Sequence, residues 1–229
     1  MRIGLIRHFR VEQPLPSGWI TAGELHSWRT RYDSARVIPV PLNLGAEVWR
    51  ACLSSDLDRA IATAKAAYAG EIEVTPLLRE PELAEFRTGR LRLPVPIWRW
   101  VLRFIWMTGH RSQRQCRDDF RFRVSTLADA LEIRDADTLV VSHAGMMAYL
   151  SAELTKRGYV GPKLRIPDHA RLYVYEKLQS ERTILDNQRP CRAVNHLEGQ
   201  VTRPANANPT KIATASSLGA PSLPARWLI

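Results

Sequence analysis

The chain has 229 residues, 45% of them hydrophobic, which is enough for one α/β domain with a full core and too few for two large ones. Met1-Arg2 leads into only about four apolar residues in a row, far short of a secretory signal, so a cytoplasmic protein is expected. Cys52, Cys116 and Cys191 are odd in number, far apart and without any Cys-x-x-Cys, which argues against a disulfide framework or a thiolate metal site. The net charge of +10 is uneven. Residues 87–123 hold ten arginines against Asp118 and Asp119, and residues 179–229 hold six basic against three acidic residues, leaving the remainder near neutral. A near-neutral domain thus carries a cationic insertion, which favours anionic partners.

In chain order, Met1 to Ile6 reads as a buried strand delivering Arg7-His8 at its end. Thr21-Ala-Gly-Glu24 is a capping box opening an amphipathic helix to about Ser34, followed by a loop with Pro39, Pro41 and Gly45. Ala51 to Ser54 reads as a short strand, and Ser55 is expected to cap a helix that runs to Ala69 and stops at Gly70. Ile72 to Val74 is the next strand, and Thr75 to Pro96 is irregular, broken by Pro76, Pro81, Pro94 and Pro96.

Pro96 to Met107 is too short and too charged to span a bilayer and reads as a surface helix, with Trp98, Leu102, Ile105 and Trp106 at helical spacing. A helix from about Ser112 to Glu132, a strand from Asp137 to Ser142, a helix from Gly145 to Arg157 and a strand from Leu172 to Tyr175 complete the domain. Beyond Leu178 the chain turns to Pro, Ala, Ser, Thr and Asn, which cannot repay the entropy of ordering. The expected organisation is a domain over residues 1–178 and a disordered tail over 179–229.

Two apolar runs end alike, one in Arg7-His8 and the other in Val141-Ser-His143-Ala-Gly145. Histidines at the C-terminal ends of strands lie at the crevice where open α/β sheets bind ligands. Ser54-Ser55-Asp-Leu-Asp-Arg59-Ala-Ile-Ala-Thr63-Ala puts an arginine near a helix start, and Leu78-Arg-Glu80 follows a strand. In that order these four pieces resemble the histidine phosphatase superfamily, also called the phosphoglycerate mutase-like fold, over roughly residues 1–80 and 124–178. The resemblance implies a three-layer α/β sandwich with a mainly parallel central sheet.

It also implies a division of labour. His8 attacks phosphorus to form a phosphohistidine, a carboxylic acid protonates the leaving oxygen, and water then releases phosphate, with no metal or other cofactor required. Chemistry independently asks for fixed cations around a phosphomonoester dianion, and Arg7, Arg59 and His143 are available. The forked donors of arginine suit phosphate oxygens, and the helix start at Arg59 favours an anion. Arg7 and Arg59 would keep His8 neutral by disfavouring an imidazolium.

For the acid, Leu78-Arg-Glu80 fits the family's Leu-x-Glu after a strand. Glu82 and Glu85 lie in the same segment, and Glu85 matches the family's spacing to a glycine at Gly89. The chain also departs from the pattern: Phe9 stands where most members have glycine, which removes backbone freedom at that turn. Arg10-Val11 replaces an acidic residue and threonine, so Arg10 either supplies a replacement phosphate donor or faces solvent. Ser142 is expected to satisfy backbone groups, since no Gly-x-Ser-x-Gly elbow surrounds it. His26, His110, His169 and His196 lack a comparable setting, though the loop holding His169 precedes the last strand.

The expected activity is a phosphomonoesterase acting on a small or lipid-like phosphorylated substrate. The alternatives are a phosphomutase using the same intermediate, or a catalytically impaired basic binding module for membranes or phosphorylated partners. For the Arg/Trp-rich insertion three readings stand: a cap helix with its arginines in water, a grip on a bulky or polyanionic substrate, or contact with an anionic membrane. No nucleic-acid-binding motif accompanies the positive charge.

Overall fold

The computed structural model describes residues 1–46, 48–81, 88–111 and 113–177; Glu82, Glu85, Cys191, His196 and the tail expected to be disordered lie outside the described residues. The chain runs β1 (Arg2–Arg7), β2 (Arg10–Val11), β3 (Trp19–Ile20), α1 (Ala22–Asp33), β4 (Val37–Ile38), β5 (Ala51–Ser55), α2 (Asp58–Ala67) and β6 (Ile72–Thr75). A single 3-10 turn (Pro76–Leu78) follows, then β7 (Leu93–Pro94), α3 (Val95–Thr108), α4 (Arg114–Arg134), β8 (Thr138–Ser142), α5 (Ala144–Lys156), β9 (Tyr159–Val160) and β10 (Leu172–Lys177).

Six strands form the central sheet in the order β6-β5-β8-β1-β10-β9. The first four are mutually parallel, while β10 runs antiparallel along the free edge of β1 and β9 pairs antiparallel with β10. Side-chain alternation explains the layers. Ile3, Leu5, Leu53 and Val140 face Leu127 and Leu131 of α4 and Met147 and Leu150 of α5. Ile6, Cys52, Leu139 and Val141 face the other way, against Ala60 and Ala64 of α2. Strands covered on both faces read as unbroken apolar runs, as β1 and β8 do. The result is the expected three-layer α/β sandwich with a mainly parallel sheet.

Local expectations fared unevenly. The capping box forms: Glu24 N donates to Thr21 Oγ1 at 3.2 Å and Thr21 N donates to Glu24 Oε2 at 2.7 Å. Ser55 does not cap α2. Leu57 is the capping residue and has no polar side chain to offer, while Ser55 ends β5 with its hydroxyl 2.9 Å from His143 Nε2 and accepts only a long 3.5 Å bond from Leu57 N. That helix also stops at Ala67, before Gly70.

The helix expected to lie on the surface is α3, and its inner face is buried. Trp98 and Leu102 pack with Ile20, Leu25 and Trp28 in a small separate core that joins α3 to α1. Trp98 Nε1 donates to Ile20 O at 2.8 Å. The arginines of α3 are not all in water, since Arg103 is buried. Here α1 and α3 form a cap at the end of the sheet where the histidines stand.

Gly4 lies where β1 passes beneath an aromatic ring. A Cβ there would stand 2.5 and 2.8 Å from two ring carbons of Trp49 and 2.9 Å from Leu172 Cδ1. Overpacking of this kind costs about 1–3 kcal/mol. Gly4→Ala is therefore expected to lower the unfolding free energy by that amount, read as a lower denaturant midpoint at unchanged slope, and an unchanged midpoint would mean that the ring yields freely.

Candidate active site

The C-terminal ends of β1, β8, β5 and the turn after β6 meet at one edge of the sheet, the crevice where open α/β sheets take ligands. Because β1 and β8 are adjacent, His8 N donates to Ser142 O at 3.0 Å, and the two histidines follow their strands side by side. Their ring centroids are 5.0 Å apart. Arg7, His8, Arg59, Glu80 and His143 all line one cavity of about 1170 Å³, and Arg10 lines it as well. The residues named from the sequence thus come from four separate segments that fold into a single site.

Hydrogen bonds fix the imidazoles. His8 Nδ1 lies 2.6 Å from Phe9 O, which can only accept, so Nδ1 carries the proton and the Nε2 lone pair is free. His143 Nε2 lies 2.9 Å from Ser55 Oγ, the engagement that takes Ser55 away from capping α2. His143 Nδ1 is buried with no hydrogen-bond partner among the described residues. Burial, followed by the positive charge of Arg59, holds the His8 pKa well below its ordinary value. Burial likewise keeps His143 well below its own, assisted by His8, Arg59 and Arg7.

Arg7 and Arg59 are held by groups on other elements. Arg7 Nη1 donates to Pro167 O at 3.0 Å. Arg59 is buried, with Nη1 2.8 Å from Asp33 Oδ1 at an angle that makes an ion pair without a hydrogen bond. Its guanidinium lies 5.3 Å from the centre of the Tyr32 ring, a cation–π contact. Arg59 O accepts from Thr63 Oγ1 at 2.7 Å, and Thr63 Oγ1 accepts from Phe9 N at 2.8 Å, which ties α2 to the turn after the first histidine.

Glu80 sits at the start of α5, where Gly145 N donates to its Oε1 at 3.2 Å. Burial raises its pKa, against the opposing pull of the Gly145 N–H and of Arg29, Arg7 and Arg59. The segment that carries it is clamped twice. Arg79 grips Asp56 through two bonds of 2.8 and 2.7 Å, and Arg123 Nη2 donates to Glu80 O at 3.2 Å. Ser142 Oγ donates to Leu78 O at 2.7 Å, a backbone role as expected.

Two readings change. Phe9 is not an obstacle: it is buried, and it is not among the residues with positive φ, so the turn asks for none of the freedom glycine would add. His169 belongs to the site. Its ring centroid lies 5.2 Å from that of His8, and its Nδ1 donates to His8 O at 2.8 Å. Burial first and then Arg7 depress its pKa to about 4. The next residue, Ala170, takes φ 57° while its N–H bonds Arg7 O at 2.9 Å, left-handed backbone of a kind that clusters at functional sites. Arg29, Tyr32 and Asp33 of α1 were also missed, since only the fold brings that helix over Arg59.

Among the described residues no three His, Cys, Asp or Glu side chains form a metal-binding group. A family model described as the histidine phosphatase superfamily (branch 1) matches residues 41–187. The chain belongs to this superfamily. The match starts beyond Arg7-His8, which the sheet brings to the matched residues. No curated protein matches the chain at the level of sequence.

Solved structures similar to this histidine phosphatase chain include Bacillus stearothermophilus YhfR, at 16% identity over 76% of this chain and 89% of that one, TM-score 0.44. A mycobacterial glucosyl-3-phosphoglycerate phosphatase is 19% identical over 76% of this chain and 91% of its own, TM-score 0.42. An Entamoeba histolytica phosphoserine phosphatase is 15% identical over 68% of this chain and 80% of its own, TM-score 0.38.

Three neutral imidazoles, two buried and one half-buried, carry a stability cost in acid. Their folded pKa values lie below the ordinary 6.5, so on acidification the unfolded chain takes up protons first. Their contribution is fully present above about pH 6.5 and is lost as pH falls from there toward their folded values. The melting temperature is expected to drop between pH 7 and pH 5, and His169→Gln should make that drop shallower. A melting temperature flat across this window would contradict neutral burial of the cluster.

Proposed function

We propose that the protein is a phosphomonoesterase that works through a phosphohistidine at His8. The observation that carries this reading is the free Nε2 of His8, a buried neutral nucleophile set among Arg7, Arg59 and His143 beside a protonatable Glu80. Nε2 attacks phosphorus as the ester P–O bond breaks, and the Glu80 carboxyl gives its proton to the departing oxygen. The resulting carboxylate then takes a proton from water, whose oxygen attacks phosphorus and breaks the P–N bond. Arg7 and Arg59 offset the phosphoryl charge throughout, and His143 Nδ1 is a further donor once the bound dianion favours its protonation.

The undistorted turn at Phe9 supports a working site over an impaired binding module. Val11, Leu15, Leu25, Ile38 and Leu102 line the cavity beyond the phosphate groups, which suits a leaving group with a sizeable apolar part, small or lipid-like.

Phosphate release from an aryl phosphate is expected to resist a chelator and to vanish in His8→Ala. Turnover that survives this substitution would refute His8 as nucleophile, and formation of an isomer with little free phosphate would make the protein a mutase. Glu80→Gln should reduce kcat/KM by about 10²- to 10⁴-fold. It should also remove the alkaline limb of the pH profile, because the wild-type rate falls where the raised Glu80 pKa is passed. An alkaline limb that persists would move the acid role to another group.

A further inference from the structure

A helix that is apolar all round belongs in a core, yet α3 has one such face in water. On its outer side Ile97 is 45% exposed, Trp100 70%, Phe104 69% and Met107 50%. These positions repeat at helical spacing, opposite the Trp98 and Leu102 that pack against α1. Ile166, from the loop before β10, is exposed beside the stripe, where it borders a hollow of about 350 Å³ together with Pro96, Arg99, Trp100 and Arg103.

The charge around this surface is mainly positive, since the exposed Asp168 of the adjoining loop is paired with Arg171 Nη1 at 3.0 Å. The helix contains no acidic residue, half-buried Arg99 borders the hollow, the buried Arg103 guanidinium stays 5.8 Å from the centre of the Trp100 ring, and the loop bearing Ile166 also exposes Lys163 and Arg165. We propose that the outer face of α3, with Ile166 beside it, docks on an anionic lipid surface. Tryptophan, phenylalanine and arginine together are the composition of interfacial helices, with rings entering the headgroup boundary and guanidiniums meeting lipid phosphates. No described helix is long and apolar enough to cross a membrane, so the contact is peripheral.

Other covers fit the charge less well. A second copy laid on the same stripe would bring arginine against arginine, and residues 179–229 are themselves net basic. Docking also has a consequence for the site. Leu102 on the inner side of α3 lines the catalytic cavity, and the residue after Ile166 is Pro167, whose carbonyl holds Arg7. Helix and loop thus link the docking face to the phosphate pocket.

The test is co-sedimentation of the full chain with vesicles of phosphatidylcholine alone or mixed with phosphatidylglycerol. Binding is expected only with phosphatidylglycerol, and it should weaken as salt is raised. Trp100→Glu with Phe104→Glu should abolish it while the melting temperature is retained, since both side chains are already in water. Arg99→Glu should weaken it by about fivefold or more, the worth of a surface charge near anionic lipid. No binding, equal binding to neutral vesicles, or binding indifferent to the double substitution would overturn the proposal. A dimer in solution that the double substitution dissociates would overturn it too, by assigning the stripe to a second copy. Binding is read without turnover, so the result is independent of whether His8 is a nucleophile.

Discussion

The pairing of β8 with β1 is the constraint on which the site depends. Parallel neighbours place their C-terminal ends side by side, so the bond from His8 N to Ser142 O leaves two imidazoles at one edge. The other functional groups are set around this pair. The strand β5 on the far side of β8 ends at Ser55, which reaches His143, and leads into the helix carrying Arg59. The turn after β6 brings Glu80 to the start of α5, and β10 on the other edge of β1 brings His169 beneath His8.

Within that frame, burial and positive charge act in the same direction on the histidines and in opposite directions on the carboxylate. Both effects disfavour a protonated His8, which leaves its lone pair available, as the proposed attack on phosphorus requires. For Glu80 the guanidiniums of Arg29, Arg7 and Arg59 favour the charged form, yet burial outweighs them and raises its pKa. A neutral base beside a carboxyl group whose pKa is raised is the pairing that the proposed nucleophilic attack with leaving-group protonation calls for. Arg7 and Arg59 provide positive charge beside the neutral His143, whose Nδ1 is buried without a hydrogen-bond partner among the described residues.

Much of this was legible because the signals were local. Apolar runs ending in Arg7-His8 and Ser142-His143 marked two strand ends, Thr21 and Glu24 marked a helix start, and Leu78-Arg-Glu80 marked a carboxylate after a strand. What escaped depended on long-range pairing. His169 reaches His8 only because β10 lies antiparallel to β1 with Leu172 opposite Ile6, a register that no local pattern in the Pro167-Asp-His sequence discloses. Ser55 has the right chemistry to cap α2, but a buried imidazole 88 residues away claims its hydroxyl. Arg123, read as part of a cationic insertion, instead holds the backbone of Glu80. The periodicity of α3 revealed an apolar helix without saying that only one of its faces would find a core.

The central claim is that His8 carries the phosphoryl group between substrate and water, and the most direct test is to trap that intermediate. Protein mixed with an aryl phosphate would be quenched in base within the first turnover, digested, and examined by mass spectrometry. The account predicts one phosphoryl group on the peptide containing His8, stable in alkali, lost in acid and absent from His8→Ala. A phosphoryl group on another residue, or turnover with no phosphoenzyme at any quench time, would contradict it.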